Sequence, residues 1–249
     1  MSALNHEVLA FDLYGTLVDP IAISQELATL LNIEDANRVA QLWRQKQIEY
    51  SFRVTMMDRY ENFEYITMRG LEFALATSGH SLDATVRESL VEKYDSLHPF
   101  PDAATGLKLL AEAGYEMVVL SNGTPKMIRS CIENSGLAEY FVELLSADPM
   151  RAFKPDRTVY RFAAGKLGCS MSEMCLVSCN AFDIVGASAA GMRTAWVNRS
   201  GGPFDTIGDA PDVTAQTITE LAAVLKSWRQ DRPSATQCAS SLPMRRRSE

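Results

Sequence analysis

The chain has 249 residues, 47% of them hydrophobic, and a formal net charge of −7 at pH 7. That length supports one sizeable core, or a core with a smaller appended unit, and the acidic balance argues against nucleic acid or an anionic membrane as the main partner. No apolar run approaches the roughly 18 residues of a membrane helix, and the start of the chain shows no basic region followed by an apolar one, so neither a span nor a signal peptide is expected.

In chain order, Val8-Leu9-Ala10 reads as a buried strand. It runs into Phe11-Asp12-Leu13-Tyr14-Gly15-Thr16-Leu17-Val18-Asp19, where Gly15 permits a sharp turn. From Ile21 to Leu97 the pattern is helical only, with helices expected over Val39 to Tyr50, Asp58 to Thr77 and Leu82 to Tyr94. Helix and strand then alternate. A helix over Asp102 to Ala113 precedes a strand over Glu116 to Leu120, and a second helix starts at the Thr124-Pro125 cap. A weaker strand covers Phe141 to Leu145, followed by a helix over Asp156 to Leu167 and a strand over Met174 to Val177. Last come a helix over Ala181 to Ala190 and a strand over Arg193 to Val197. Alternation of this kind implies an α/β fold, with a parallel sheet wrapped on both faces. The expected division is a core of residues 1–20 plus 98–228, a helical cap of residues 21–97 inserted after the first strand, and a disordered polar tail from Arg229 to the end. Arg245-Arg246-Arg247 belongs to that tail and is given no function.

The five cysteines, Cys131, Cys169, Cys175, Cys179 and Cys238, follow no zinc-type spacing. They fit a reduced, cytoplasmic chain. His6, His80 and His98 are scattered, and no Gly-x-Ser-x-Gly elbow is present.

Ligands of open parallel sheets gather beyond the carboxyl ends of the strands, and polar side chains collect there. The first strand is followed by Asp12, Tyr14 and Thr16, the next by Ser121-Asn122-Gly123 and a helix start suited to an anion. Lys154 stands in Arg151-Ala152-Phe153-Lys154-Pro155, and Ser178-Cys179-Asn180-Ala181-Phe182-Asp183 follows the fourth. Each also has a structural reading: Asp12, Ser121 and Asn122 as turn formers, Lys154 as a solvated charge, Asp183 as a first-turn acid. A nucleophilic carboxylate, a hydroxyl, a lysine and a second carboxylate at successive strand ends favour catalysis over coincidence.

The ordered set Asp-x-x-Gly-Thr, Ser-Asn-Gly, Lys-Pro and late Asp resembles the haloacid dehalogenase superfamily, over about Glu7 to Trp228. Phosphatases of that superfamily carry an acid two residues after the nucleophile, where this chain has Tyr14, a poor general acid at neutral pH. They also carry acidic residues for magnesium near the fourth motif, where this chain has Cys179-Asn180. These departures are similar to the L-2-haloacid dehalogenase branch, as is Leu42-Trp43-Arg44-Gln45-Lys46-Gln47-Ile48-Glu49-Tyr50, in which Arg44 and Ile48 share a helix face.

The resemblance implies a metal-free, cofactor-free hydrolysis of a short L-2-haloalkanoate. Asp12 would attack C2, and Arg44 would receive the halide, beside Ile48 and Phe63. Thr16, Ser121 and Asn122 would bind the substrate carboxylate. Asp183, oriented with Lys154, Ser178 and Asn180, would activate water against the ester on Asp12. Tyr14, Gln45, Tyr160 and Phe182 are further substrate-site expectations, and a homodimer through the inserted helices is implied. A metal-dependent phosphohydrolase, a catalytically inactive binding protein and alkyl-enzyme chemistry on another electrophile stand as alternatives.

Overall fold

The computed structural model describes residues 7–230. Six parallel strands form one sheet in the order β3-β2-β1-β4-β5-β6. The core is the α/β Rossmann-like architecture expected, with the helical segment inserted after its first strand.

β1 (Val8–Phe11) is buried along its length, as a central strand covered on both faces must be. A 3-10 turn over Pro20–Ile23 leads into the short α1 (Ser24–Leu27). α2 (Ile33–Met56) is capped by Asn32, whose side chain accepts from the Asp35 N–H at 2.9 Å. It extends beyond the expected Val39 to Tyr50 at both ends. α3 (Phe63–Thr77) begins five residues later than the expected Asp58: Asp58 is left-handed with φ 53° and Asn62 caps the helix. α4 (Ala84–Glu92) leaves Leu82 before the helix and Tyr94 in the 3-10 turn that follows.

α5 (Ala103–Glu112) precedes β2 (Glu116–Ser121), and α6 (Pro125–Asn134) starts on its Thr124 cap. β3 (Glu143–Ser146) sits at the sheet edge, shifted from the expected Phe141 to Leu145. α7 (Arg157–Leu167), β4 (Met174–Ser178), α8 (Ala181–Ala190) and β5 (Arg193–Val197) follow the pattern read from sequence. Two elements were not anticipated, β6 (Val213–Ala215) and α9 (Ile218–Gln230). α9 packs closely on α5: a Cβ at Gly106 would lie 2.5 Å from Ile218 Cγ2. Arg229 and Gln230, expected in the tail, lie in α9, while the rest of that tail, including Arg245 to Arg247, is outside the described residues.

Two apolar clusters fill the layers on either side of the sheet. One joins Leu9, Phe11 and Val119 to α5, α6, α9 and the inserted helices, and the other joins Val8, Ala10 and Leu176 to α7 and α8. Strand order reverses at β1, so the crevice beyond its carboxyl end is where such a sheet opens a ligand site. The inserted helices stand beside that crevice, where the Tyr94 ring packs against both Trp43 and Tyr14.

Candidate active site

Asp12 is the first residue past β1, and Lys154 reaches it from the loop after β3. The Lys154 Nζ donates to Asp12 Oδ1 at 2.9 Å, to Asp183 Oδ2 at 2.6 Å and to the Leu120 carbonyl at 2.7 Å. All three ammonium hydrogens are spent in a pocket that leaves Lys154 1% exposed. Burial alone pushes the Lys154 pKa down, but Asp12 and Asp183 outweigh it and hold the group above its ordinary value. Asp183, on the first turn of α8, is pushed up, chiefly by burial and against the pull of Lys154. Tyr160 on α7 donates to Asp183 Oδ1 at 2.7 Å. A glycine is needed where α8 meets that tyrosine, because a Cβ at Gly186 would lie 2.7 Å from the Tyr160 hydroxyl and 2.4 Å from Pro155 Cβ.

The second oxygen of Asp12 is held from the other side. Oδ2 accepts from Asn180 Nδ2 at 2.7 Å, from Thr16 Oγ1 at 3.0 Å and, more loosely, from Ser178 Oγ at 3.5 Å. Asn180 Nδ2 also donates to the Tyr14 carbonyl at 3.1 Å. One amide nitrogen therefore bridges the Asp12 carboxylate and the Tyr14 carbonyl. Among the described residues no group of three or more His, Cys, Asp or Glu could hold a metal ion.

Five residues are placed differently from expectation, one of them Tyr160, which was expected at the substrate but lies buried against Asp183 and does not line the cavity beside Asp12. Ser178 and Asn180 address Asp12 rather than Asp183, whose orientation comes from Lys154 and Tyr160. Thr16 is fully buried and accepts the Cys179 N–H at 2.8 Å while donating to Asp12, so it braces the nucleophile and has no hydrogen left for a ligand. Gln45 is exposed on α2 and does not line the cavity beside Asp12, because the helix turns the neighbouring Arg44 inward and carries Gln45 outward.

That cavity, about 20 Å³, has room for about one water molecule. Asp12, Lys154, Asn180, Ser121 and Asn122 form its polar floor, and Tyr14, Arg44, Ile48, Phe63 and Phe182 its walls. Ser51 also lines it and was missed from sequence, since nothing sets a serine on a helix apart from a surface residue. Asn122 Oδ1 accepts the Lys154 N–H at 2.8 Å, tying the lysine loop to β2. Phe63 stacks on Tyr14 at 5.8 Å, and Phe182 meets Phe52 of α2 edge-on at 5.1 Å. Arg44 donates to the Tyr14 carbonyl at 2.9 Å and to Gln47 Oε1 at 2.7 Å. Tyr14 is fully buried with its hydroxyl unpaired, and burial raises its pKa well above the ordinary value. It forms a wall and supplies no acid.

The profile of the family described as haloacid dehalogenase-like hydrolase matches residues 6–191. The chain belongs to that family. It is 38% identical to an (S)-2-haloacid dehalogenase of Pseudomonas sp. (strain YL) over 88% of this chain and 92% of the relative. It is also 38% identical to (S)-2-haloacid dehalogenase 4A of Burkholderia cepacia, over 78% of this chain and 83% of that one. Among solved structures, the L-2-haloacid dehalogenase of Xanthobacter autotrophicus with chloropropionic acid covalently bound superposes with a TM-score of 0.83. It is 30% identical, covering 89% of this chain and 98% of that one.

Proposed function

We propose that this family member hydrolyses short L-2-haloalkanoic acids to D-2-hydroxy acids through an ester on Asp12, with no cofactor. The observation that carries the reading is the setting of Asp12: Lys154 on one oxygen, neutral donors on the other, at the floor of a cavity that also holds Arg44. Asp12, Asp183, Lys154 and Arg44 together sum to no net charge, so a monoanionic haloacid meets less repulsion than a phosphate dianion would. The likeness to named dehalogenases supports the same choice over a phosphohydrolase.

Oδ1 of Asp12 has a single donor and keeps a lone pair for attack on C2. Its bond to carbon forms as the carbon–halogen bond breaks in line, and the halide leaves toward Arg44. Ser121 and Asn122, with the backbone N–H groups of these turns, hold the substrate carboxylate. Ile48, Phe63 and Phe182 exclude water from the halide and strengthen its interaction with the guanidinium. Asp183 then takes a proton from water, which attacks the Asp12 carbonyl; the acyl–oxygen bond of the ester breaks, the released oxygen takes up the proton, and the configuration at C2 is left inverted once. Thr16, Ser178 and Asn180 keep the nucleophile aligned, and Tyr160 keeps the base aligned.

Family resemblance supports a homodimer through the inserted helices, and α3 exposes Tyr65 and Phe73 there. A cytoplasmic location fits four described cysteines that are all free. Halide release from the separate L and D enantiomers of 2-chloropropionate, with and without a chelator, tests the function. Chelator-insensitive release from the L enantiomer alone is expected, whereas activity only on a phosphate ester with magnesium would replace the reading.

A further inference from the structure

α2 and α3 cross closely at Gly70, where a Cβ would lie 3.1 Å from Trp43 Cδ1 and 3.3 Å from the Gln47 backbone nitrogen. The absence of a side chain there lets two α2 residues reach into α3. Trp43 Nε1 donates to the Thr67 carbonyl at 2.7 Å, and the fully buried Gln47 donates through Nε2 to Thr67 Oγ1 at 2.7 Å. The Thr67 hydroxyl hydrogen is committed to the Phe63 carbonyl at 2.7 Å. Thr67 can therefore only accept from Gln47, which fixes the amide with its nitrogen toward Thr67 and its oxygen toward Arg44. Gln47 Oε1 takes Arg44 Nη1 at 2.7 Å, while the Tyr14 carbonyl takes Nη2 at 2.9 Å. Both acceptors are neutral, and among the described residues Arg44 forms no ion pair.

We propose that Gln47 is a positioning residue that, through Thr67, aims the Arg44 guanidinium into the cavity while leaving its charge uncompensated for a halide. This rests on Arg44 as the halide acceptor of the proposed reaction. A glutamate of the same length could hold the guanidinium equally well but would neutralise it, since a carboxylate at such a distance interacts with a cation far more strongly than an amide does. The amide is thus the side chain that orients without quenching.

The test is a bromide titration of the whole chain at constant ionic strength, read as the rise in its thermal unfolding midpoint, which needs no turnover. Gln47→Glu is expected to weaken bromide binding about tenfold or more, and Gln47→Met about threefold through lost aim alone. Thr67→Val is expected to weaken it comparably, with Thr67→Ser, which keeps the hydroxyl, restoring it. If a Gln47 variant fails to give the wild-type circular dichroism spectrum, the Thr67→Val and Thr67→Ser pair decides. Bromide affinity within about twofold of wild type in the folded variants overturns the proposal, as does a wild-type chain that binds no bromide. Bromide binding without halide release from any haloacid would fail the functional reading and leave the role of Gln47 standing.

Discussion

The two halves of the cavity are built on opposite plans. The half from the strand ends is saturated: Lys154 spends all its hydrogens, Asp183 is gripped on both oxygens and Asp12 Oδ2 is met by two firm donors. The half from the inserted helices is apolar and carries one cation held by neutral groups. The first arrangement fixes a reaction coordinate, because groups so fully bonded do not reorganise as charge moves. The second fixes a medium, because apolar walls set the dielectric in which the anion departs. On the proposed reading the sheet holds the chemistry and the insertion selects what undergoes it.

The strongest way to break that contrast is to remove the nucleophile. Asp12→Asn keeps the shape and the Lys154 contact and is expected to lower halide release on the order of 10⁴-fold or more. Steady release from a preparation free of wild-type enzyme and of deamidation, followed by ion chromatography, would move the chemistry off the sheet. Asp183→Asn should separate the two steps. Loss of a general base slows its step by about 10²- to 10⁴-fold, so one equivalent of halide should appear quickly and the ester on Asp12 should accumulate, visible by mass spectrometry as added substrate mass. If halide formation slows as much as ester hydrolysis does, Asp183 serves alkylation through Lys154 instead.

A smaller effect probes the other half. Phe182→Ala removes the ring that meets Phe52 and enlarges the cavity. Relative kcat/KM for 2-chlorobutyrate over chloroacetate is expected to rise about tenfold, the scale on which apolar pockets discriminate a methylene or two. No change in that ratio would mean that chain length is read elsewhere.

The two halves were also unequally legible from sequence. Strand-end residues follow short apolar runs, so Asp12, Ser121 and Ser178 could be placed by counting from the strands. Lys154 and Asp183 came with the motif order. Helical residues are placed by phase, and phase over a helix as long as α2 is less forgiving. Arg44 and Ile48 face the cavity together, while Gln45 was expected there and points to solvent. Of the residues on the same face as Arg44 and Ile48, Gln47 passed unnoticed because its value depends on α3, whose approach is set by Gly70, and Ser51 because nothing sets a serine on a helix apart from a surface residue. β6 was missed because it is three residues long, and α9 was missed although Thr217-Ile218-Thr219-Glu220 is a helix-start pattern, with Thr217 Oγ1 accepting the Glu220 N–H at 3.0 Å. The 3-10 turn around Tyr94 and the left-handed Asp58 broke helices that composition alone would have continued.

The smallest expected effect is an absence of change with pH. Because Asp12 and Asp183 hold Lys154 charged above its ordinary value of 10.5, the alkylation rate should stay flat through the alkaline range up to about that pH. On the acid side the sign is opposite. Asp183 must be ionised to take a proton from water, and burial raises its pKa above the ordinary 3.8, so ester hydrolysis should fall at a higher pH than an exposed carboxylate would dictate. Single-turnover rates for halide release and for ester decay, taken separately across pH, read both. A basic limb in alkylation well below 10.5 would mean that the lysine loses its proton within the working range. In that case the saturated half of the site would reorganise during turnover, and its contrast with the apolar half would not survive.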